Sequence, residues 1–122
     1  MSKSILVVDD AMSVRQVVNV ALSEAGYDVI EACDGRDALA KCNGRKINLI
    51  ITDVNMPNMD GISFVTELKK LPAYKFTPVI MLTTEGSENV KMAGKAAGVK
   101  AWMVKPFQAP QMLSAVQKLV AL

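Results

Sequence analysis

The sequence contains no histidine, and that absence removes imidazole chemistry in one stroke. General-base histidines, Ser-His and Cys-His nucleophile pairs and the common imidazole metal sites are all excluded. The two cysteines, Cys33 and Cys42, fit neither a metal-binding nor a CxxC spacing. Both lie in apolar patterns and are read as reduced core residues. Aromatic residues are scarce at 5%, with one tryptophan. Charged residues make up 21% against 51% apolar, a balance that excludes disorder. Apolar runs stay far below the ~18 residues of a membrane span. The opening stretch carries one lysine and a short apolar run that stops at Asp9 and Asp10, too short and too acidic for a signal peptide. A cytoplasmic protein with no membrane insertion is expected.

Net charge is +2, too little for a nucleic-acid binder, but it is unevenly placed. Residues 1–61 hold 6 basic and 9 acidic groups, whereas residues 62–122 hold 8 basic and 3 acidic. The basic half suggests a surface that faces a partner. At 122 residues and 13.2 kDa the chain reads as one domain spanning 1–122. Surface scaling gives roughly 6,400 Å² folded against roughly 19,100 Å² unfolded, enough burial for a core without staples.

Two hydrophobic periods alternate along the chain. Ile5–Val8 is a short apolar run; Val14, Val17, Val18, Ala21, Leu22 and Ala25 then repeat with helical spacing until Gly26. Asp28–Ala32 reads as a second strand, Gly35–Asn43 as a short helix closed by Gly44, and Asn48–Thr52 as a third strand. Ile62, Phe64, Val65, Leu68 and Leu71 form the next helical face. Pro78–Leu82 is a fourth strand, Glu88–Ala97 a helix closed by Gly98, Val99–Val104 a fifth strand and Pro110–Ala121 the last helix. Five βα units of this kind predict a doubly wound α/β fold, a five-stranded parallel sheet covered on both faces. Asp34–Gly35 and Asp60–Gly61 resemble hairpin turns, but the helical period after each places them at helix N-termini.

In such a sheet ligands sit beyond the carboxyl ends of the strands. Asp9 and Asp10 follow the first strand, Asp53 the third, Thr83 and Thr84 the fourth, and Lys105 the fifth. Taken singly each has a plainer role: Asp9 and Asp10 as a helix cap, Thr84 in a turn, Lys105 as a solvated lysine. Together they are harder to dismiss. At ~5 Å and an effective dielectric of about 20, each carboxylate pair repels by roughly 3 kcal/mol. Three such groups call for a cation, and all-oxygen ligation points to Mg²⁺ or Mn²⁺. A divalent ion, a lysine and a hydroxyl suit the peripheral oxygens of a phosphoryl group. The acidic pair after the first strand would repel a nucleotide or flavin phosphate, and no Gly-rich phosphate loop is present. A carboxylate nucleophile forming an acyl phosphate remains, with Asp53 the natural choice because it is central in the sheet.

The segments ILVVDD (5–10), DVNMPNMDG (53–61), LTTEG (82–86) and VKPF (104–107) resemble the response-regulator receiver domain, in its stand-alone chemotaxis (CheY-type) form. The resemblance covers essentially the whole chain. It implies the flavodoxin-like (βα)5 fold with strand order 2-1-3-4-5, and Asp53 as phosphorylation site. It further implies Mg²⁺ held by Asp10 directly, by Asp9 through water, by Asp53 and by the backbone carbonyl of Asn55. Lys105 would pair with the phosphoryl oxygens, next to a cis Lys105–Pro106 bond. Thr83 is similar to the family's switch hydroxyl and Trp102 to its switch aromatic, although Tyr or Phe is commoner there. Asn55 and Glu85 occupy positions that tune dephosphorylation. By the same resemblance the partners are a CheA-like histidine kinase, an output protein such as the flagellar motor switch, and a phosphatase, with the chain a monomer.

Three functions follow from these residues. One is a phosphorylation-switched binding module that catalyses its own phosphoryl transfer and autodephosphorylation without being an enzyme in the usual sense. Another is a haloacid-dehalogenase-like phosphatase, disfavoured because Asn55 stands where that class needs a second Asp and no cap domain fits. The third is a phosphate sink or phosphorelay carrier without an output target. With no effector segment after Leu122, direct action on DNA is not expected.

Overall fold

The computed structural model describes residues 3–83, 88–105 and 108–120, and only the backbone at 83 and 88–90. Strands β1 (Ser4–Val8), β2 (Asp28–Ala32), β3 (Leu49–Thr52), β4 (Val79–Thr83) and β5 (Ala101–Val104) alternate with helices α1 (Met12–Glu24), α2 (Gly35–Cys42), α3 (Gly61–Lys69), α4 (Glu88–Ala97) and α5 (Ala109–Leu119). A 3-10 turn, Pro72–Tyr74, precedes β4. All pairings are parallel and the order is β2-β1-β3-β4-β5, as the resemblance implied.

Alternation along the strands divides the core in two, because successive side chains point to opposite faces. Leu6, Val8, Ile50 and Met81 pack with Ala38 and Cys42 of α2 and Phe64, Val65 and Leu68 of α3. Ile5, Val7, Leu49, Ile51, Ile80 and Leu82 pack with Val18 and Leu22 of α1 and Met112 and Val116 of α5. Every β1 position from Ile5 to Val8 is buried, which is why that run is apolar without a polar alternate.

Both Asp–Gly pairs open helices. Asp34 Oδ1 accepts the Asp37 N–H at 2.8 Å, and Asp60 Oδ1 accepts the Ser63 N–H at 2.7 Å. Gly26, Gly44 and Gly98 sit at positive φ just past their helices.

Three expectations are corrected. Val17 is 57% exposed: Val18 and Leu22 are the buried residues of α1, and Val17 is turned about 100° from Val18 around the axis. Leu71 lies beyond α3 as the N-cap of the 3-10 turn, leaving Tyr74 to fill the core. Cys33 is exposed, because it follows the last residue of β2 in the loop to α2; only Cys42 is buried.

The thiols should therefore differ in reactivity. Burial pushes Cys42 up to about 11, opposed by Arg45, so about a thousandth of it is thiolate at pH 8. One thiol per native chain should react with an aromatic disulfide reagent, and the second only after unfolding. Rapid native reaction of both would contradict the burial of Cys42. The folded thiol also holds its proton more tightly than the unfolded one. Its stabilising contribution is therefore complete below about pH 9 and is lost as pH rises toward 11.

Candidate functional site

The β1–β3 register, Val8 opposite Thr52, brings Asp9 and Asp53 side by side at the carboxyl end of the sheet. Backbone bonds continue past the strands: Asp53 N–H donates to Val8 O at 2.9 Å and Asp9 N–H to Ala32 O at 3.1 Å. Val104, opposite Thr83 in the β4–β5 ladder, delivers Lys105 to the same rim. The structure thus gathers residues far apart in sequence.

Carboxylate oxygens of Asp9, Asp10 and Asp53 all lie within 4.8 Å of one another. Asp9 and Asp53 are buried and Asp10 is exposed. Lys105 Nζ donates to Asp9 Oδ2 at 2.6 Å and to Asp53 Oδ2 at 3.1 Å. The remaining oxygens are held by backbone, Asp9 Oδ1 by Ala11 N–H at 2.9 Å and Asp53 Oδ1 by Val54 N–H at 2.7 Å. Asp9 does not cap α1, whose N-cap is Ala11 with no side-chain cap hydrogen bond; its bond to Ala11 N–H closes a turn before the helix.

Burial raises the Asp53 carboxyl above its ordinary value; hydrogen bonding and charge from Lys105 oppose this, and the Asp9 charge adds to it. Burial acts to lower Lys105, but its hydrogen bonds and charge interactions with Asp9 and Asp53 outweigh that and leave it raised. One ammonium faces three carboxylates. The donors are hard oxygens open to solvent on the Asp10 side, a set that fits Mg²⁺ and not a soft metal.

Of the other expected residues, Asn55 is exposed in the loop after β3. Thr83 ends β4, but its hydroxyl, together with Thr84, Glu85 and Pro106, lies outside the described residues. Trp102 is half-buried on β5 and packs against the core shared by α2 and α3. Its buried indole N–H finds no acceptor among the described residues. A Cβ on Gly94 would sit 2.7 Å from the Trp102 ring, so glycine there makes room for the indole.

Two supporting residues escaped the sequence reading. Arg15 Nη1 donates to Asp9 O at 2.6 Å and its Nε to Glu31 Oε1 at 3.1 Å, holding the β1–α1 loop against β2. No sequence signal pairs Arg15 or Asn19 with Glu31, which lies on β2 and meets them only through the packing of α1. Asn58, at φ 67°, donates to Asp34 Oδ2 at 2.8 Å, while Gly35 N–H donates to Met59 O at 3.1 Å. These bonds tie the loop that carries Asn55 to the start of α2. An asparagine in a Pro-Asn-Met-Asp-Gly loop was the clue, since Asn tolerates left-handed backbone.

A profile of the response regulator receiver domain matches residues 5–117. The chain belongs to this family. Among curated relatives, chemotaxis protein CheY1 of Helicobacter pylori is 40% identical over 111 residues, covering 89% of each chain. Protein PilG of Pseudomonas aeruginosa is 36% identical over 113 residues, covering 93% of this chain and 84% of PilG. The solved structure of chemotaxis protein CheY4 of Vibrio cholerae superposes with TM-score 0.95 at 46% identity, covering 98% of this chain and 100% of that one. The likeness is thus to stand-alone CheY-type regulators over their length. The chain also spans about half of longer transcriptional regulators such as PhoP of Bacillus subtilis. Its fold is the flavodoxin-like receiver fold, and the acidic cluster stands at the carboxyl end of the sheet.

Proposed function

We propose that this receiver domain is a single-domain cytoplasmic switch of a chemotaxis-type two-component system, acting as a monomer and phosphorylated on Asp53. One observation carries the reading: Lys105 bridges Asp9 and Asp53 while Asp10 lies within 4.8 Å of both. An oxygen of Asp53 attacks the phosphorus of a phosphohistidine on a CheA-like kinase. The P–N bond breaks, its electron pair returns to the imidazole, and an acyl phosphate forms. Asp9, Asp10, Asp53 and the Asn55 carbonyl would hold Mg²⁺, which supplies charge neutralisation for the phosphoryl oxygens. Burial of Asp53 strips solvent from the nucleophile, and Lys105 passes from Asp53 to a phosphoryl oxygen as the charge moves outward. Asn55 and Glu85 tune how fast water later removes the group.

The output follows from Thr83 and Trp102. The Thr83 hydroxyl turns to the phosphoryl group, and Trp102 rotates into the space behind β4, shifting the population of two surface packings. The surface is the face of α4, β5 and α5. A cleft of about 300 Å³ there is lined by Lys91, Lys95, Val99, Lys100 and Trp102. A cationic face around an aromatic suits a short acidic or amphipathic segment, on a motor-switch protein or a phosphatase.

The test is intact-protein mass spectrometry after Mg²⁺ and a small acyl-phosphate donor. Wild type should gain one phosphoryl group, mapped to Asp53, and Asp53→Asn or chelated protein should gain none. A labile phosphate retained by Asp53→Asn sinks the assignment. Trp102 emission should change on phosphorylation, and Thr83→Ala should keep the phosphate but lose the change. Constant emission would favour a phosphate sink.

A further inference from the structure

The opposite end of the sheet carries a second polar feature that the phosphorylation chemistry does not use. Phe76 is 87% exposed, more than any other large apolar side chain among the described residues. Its exposure is built in. Tyr74 and Thr77 on either side are buried, and the Tyr74 hydroxyl is pinned to Cys42 O at 2.6 Å and Arg45 O at 2.7 Å. Thr77 N–H closes the turn onto Tyr74 O at 3.1 Å. The chain therefore presents Phe76 outward at the entrance to β4 from a tethered turn.

Phe76 lines a cleft of about 370 Å³ with Lys69, Lys75, Ala97, Gly98 and Lys100. Lys75 Nζ stands 5.7 Å from the centre of the Phe76 ring. The Lys69 stem lies along Gly98, where an added Cβ would be 3.3 Å from Cε, and its ammonium donates to the Tyr74 and Thr77 carbonyls. Burial and then the charge of Lys100 hold Lys69 below its ordinary value, so the cations repel one another. Among the described residues no carboxylate lines the cleft and none pairs with these three lysines; Glu67 pairs with Lys70 on α3.

We propose that this cleft docks an acidic segment of a partner protein whose carboxylates meet Lys75 and Lys100 and whose apolar side chain covers Phe76. A second copy of the same face would bring like charges together, so the occupant must be anionic. A net charge of only +2, with the acid concentrated in the other half, gives weak long-range attraction for a polyanion and favours a short acidic peptide. Lys75 and Phe76 precede β4, and Lys100 precedes β5, whereas Asp53 and Lys105 follow their strands. The two ends can therefore be occupied at once. Docking here tethers the domain whatever its phosphorylation state.

The test uses isotopically labelled full chain titrated with acetyl-Asp-Glu-Leu-Phe-Asp-Glu-amide and with its Asn/Gln counterpart. Amide shifts should concentrate at residues 69–77 and 97–100, with the neutral peptide at least tenfold weaker. Phe76→Ala and Lys75→Glu should each weaken the acidic peptide tenfold or more and leave acyl-phosphate labelling unchanged. Asp53→Asn should bind the peptide as wild type does. Shifts centred on Lys91, Lys95 and Trp102 would overturn the proposal. Equal binding of the neutral peptide or unchanged affinity in Phe76→Ala would do the same. So would tighter, lysine-dependent binding to phosphatidylglycerol vesicles or to single-stranded DNA. Should the charge reversal perturb the fold, Lys75→Gln carries the same comparison.

Discussion

Gly61→Ala should destabilise the domain by at least ~3 kcal/mol, because a methyl group there has nowhere to go. A Cβ on Gly61 would stand 1.9 Å from Asp53 O, 2.9 Å from its carbonyl carbon and 3.2 Å from Val54 Cα. All three are backbone atoms, so no rotamer change relieves the overlap. The contact is also locked, since Gly61 N–H donates to Val54 O at 2.8 Å. Relief requires moving the start of α3 away from the end of β3, which displaces Asp53 and the loop carrying Asn55. Denaturant midpoints should fall sharply, with Gly44→Ala as the control. Gly44 has open space around its Cβ position but φ of 79°, so alanine there should cost about 1–2 kcal/mol in backbone strain alone. If Gly61→Ala lies within roughly 1 kcal/mol of wild type, the close approach at Asp53 is wrong.

Lys105→Ala should be the other severe change, and a conditional one. The side chains of Asp9 and Asp53 are 3% and 11% exposed, and Lys105 is the ammonium both accept from. Removing it leaves two nearly buried carboxylates facing each other, a loss of about 3 kcal/mol for a broken buried pair. Added Mg²⁺ should restore much of that by binding the folded state, so the variant's melting temperature should rise with Mg²⁺ more steeply than that of wild type. Acid should help as well. A carboxyl raised in the folded state binds its proton more tightly than in the unfolded chain, so the contribution of Asp53 to stability is complete below about pH 4 and falls as pH climbs through the folded value. Without Lys105 that fall should deepen. Melting curves of Lys105→Ala in chelator that match wild type would show that the ammonium does not hold the cluster together.

Much of this architecture is legible in the sequence. Ile5–Val8 and Ile50–Thr52 are buried on both faces, so they read as strands from apolar continuity alone. Once those strands are placed, Asp9, Asp53 and Lys105 fall at their carboxyl ends by counting. The strand order was not available from periodicity, because hydrophobic pattern says which residues are buried and not which strand is the neighbour; that came with the family resemblance. What stayed hidden depends on how elements rest on one another. Val17 looks as apolar as Val18, and only the rotation of α1 against the sheet separates them. Arg15 finds its partner Glu31 only through the packing of α1 against β2. Phe76 falls outside every element that periodicity marks, and its exposure follows from Tyr74 having taken the core position two residues earlier.

The bridging lysine also bears on the order in which the molecule comes together. Asp9 and Asp53 stand on adjacent strands from the first half of the chain, whereas Lys105 is 96 residues from Asp9 and 52 from Asp53. In any partly assembled species with β1 and β3 paired but β5 undocked, the carboxylates crowd together before their ammonium arrives. Docking of the last strand then removes a local electrostatic penalty as well as covering apolar surface. The group that most strengthens the site is in this way also a latch on the final third of the polypeptide.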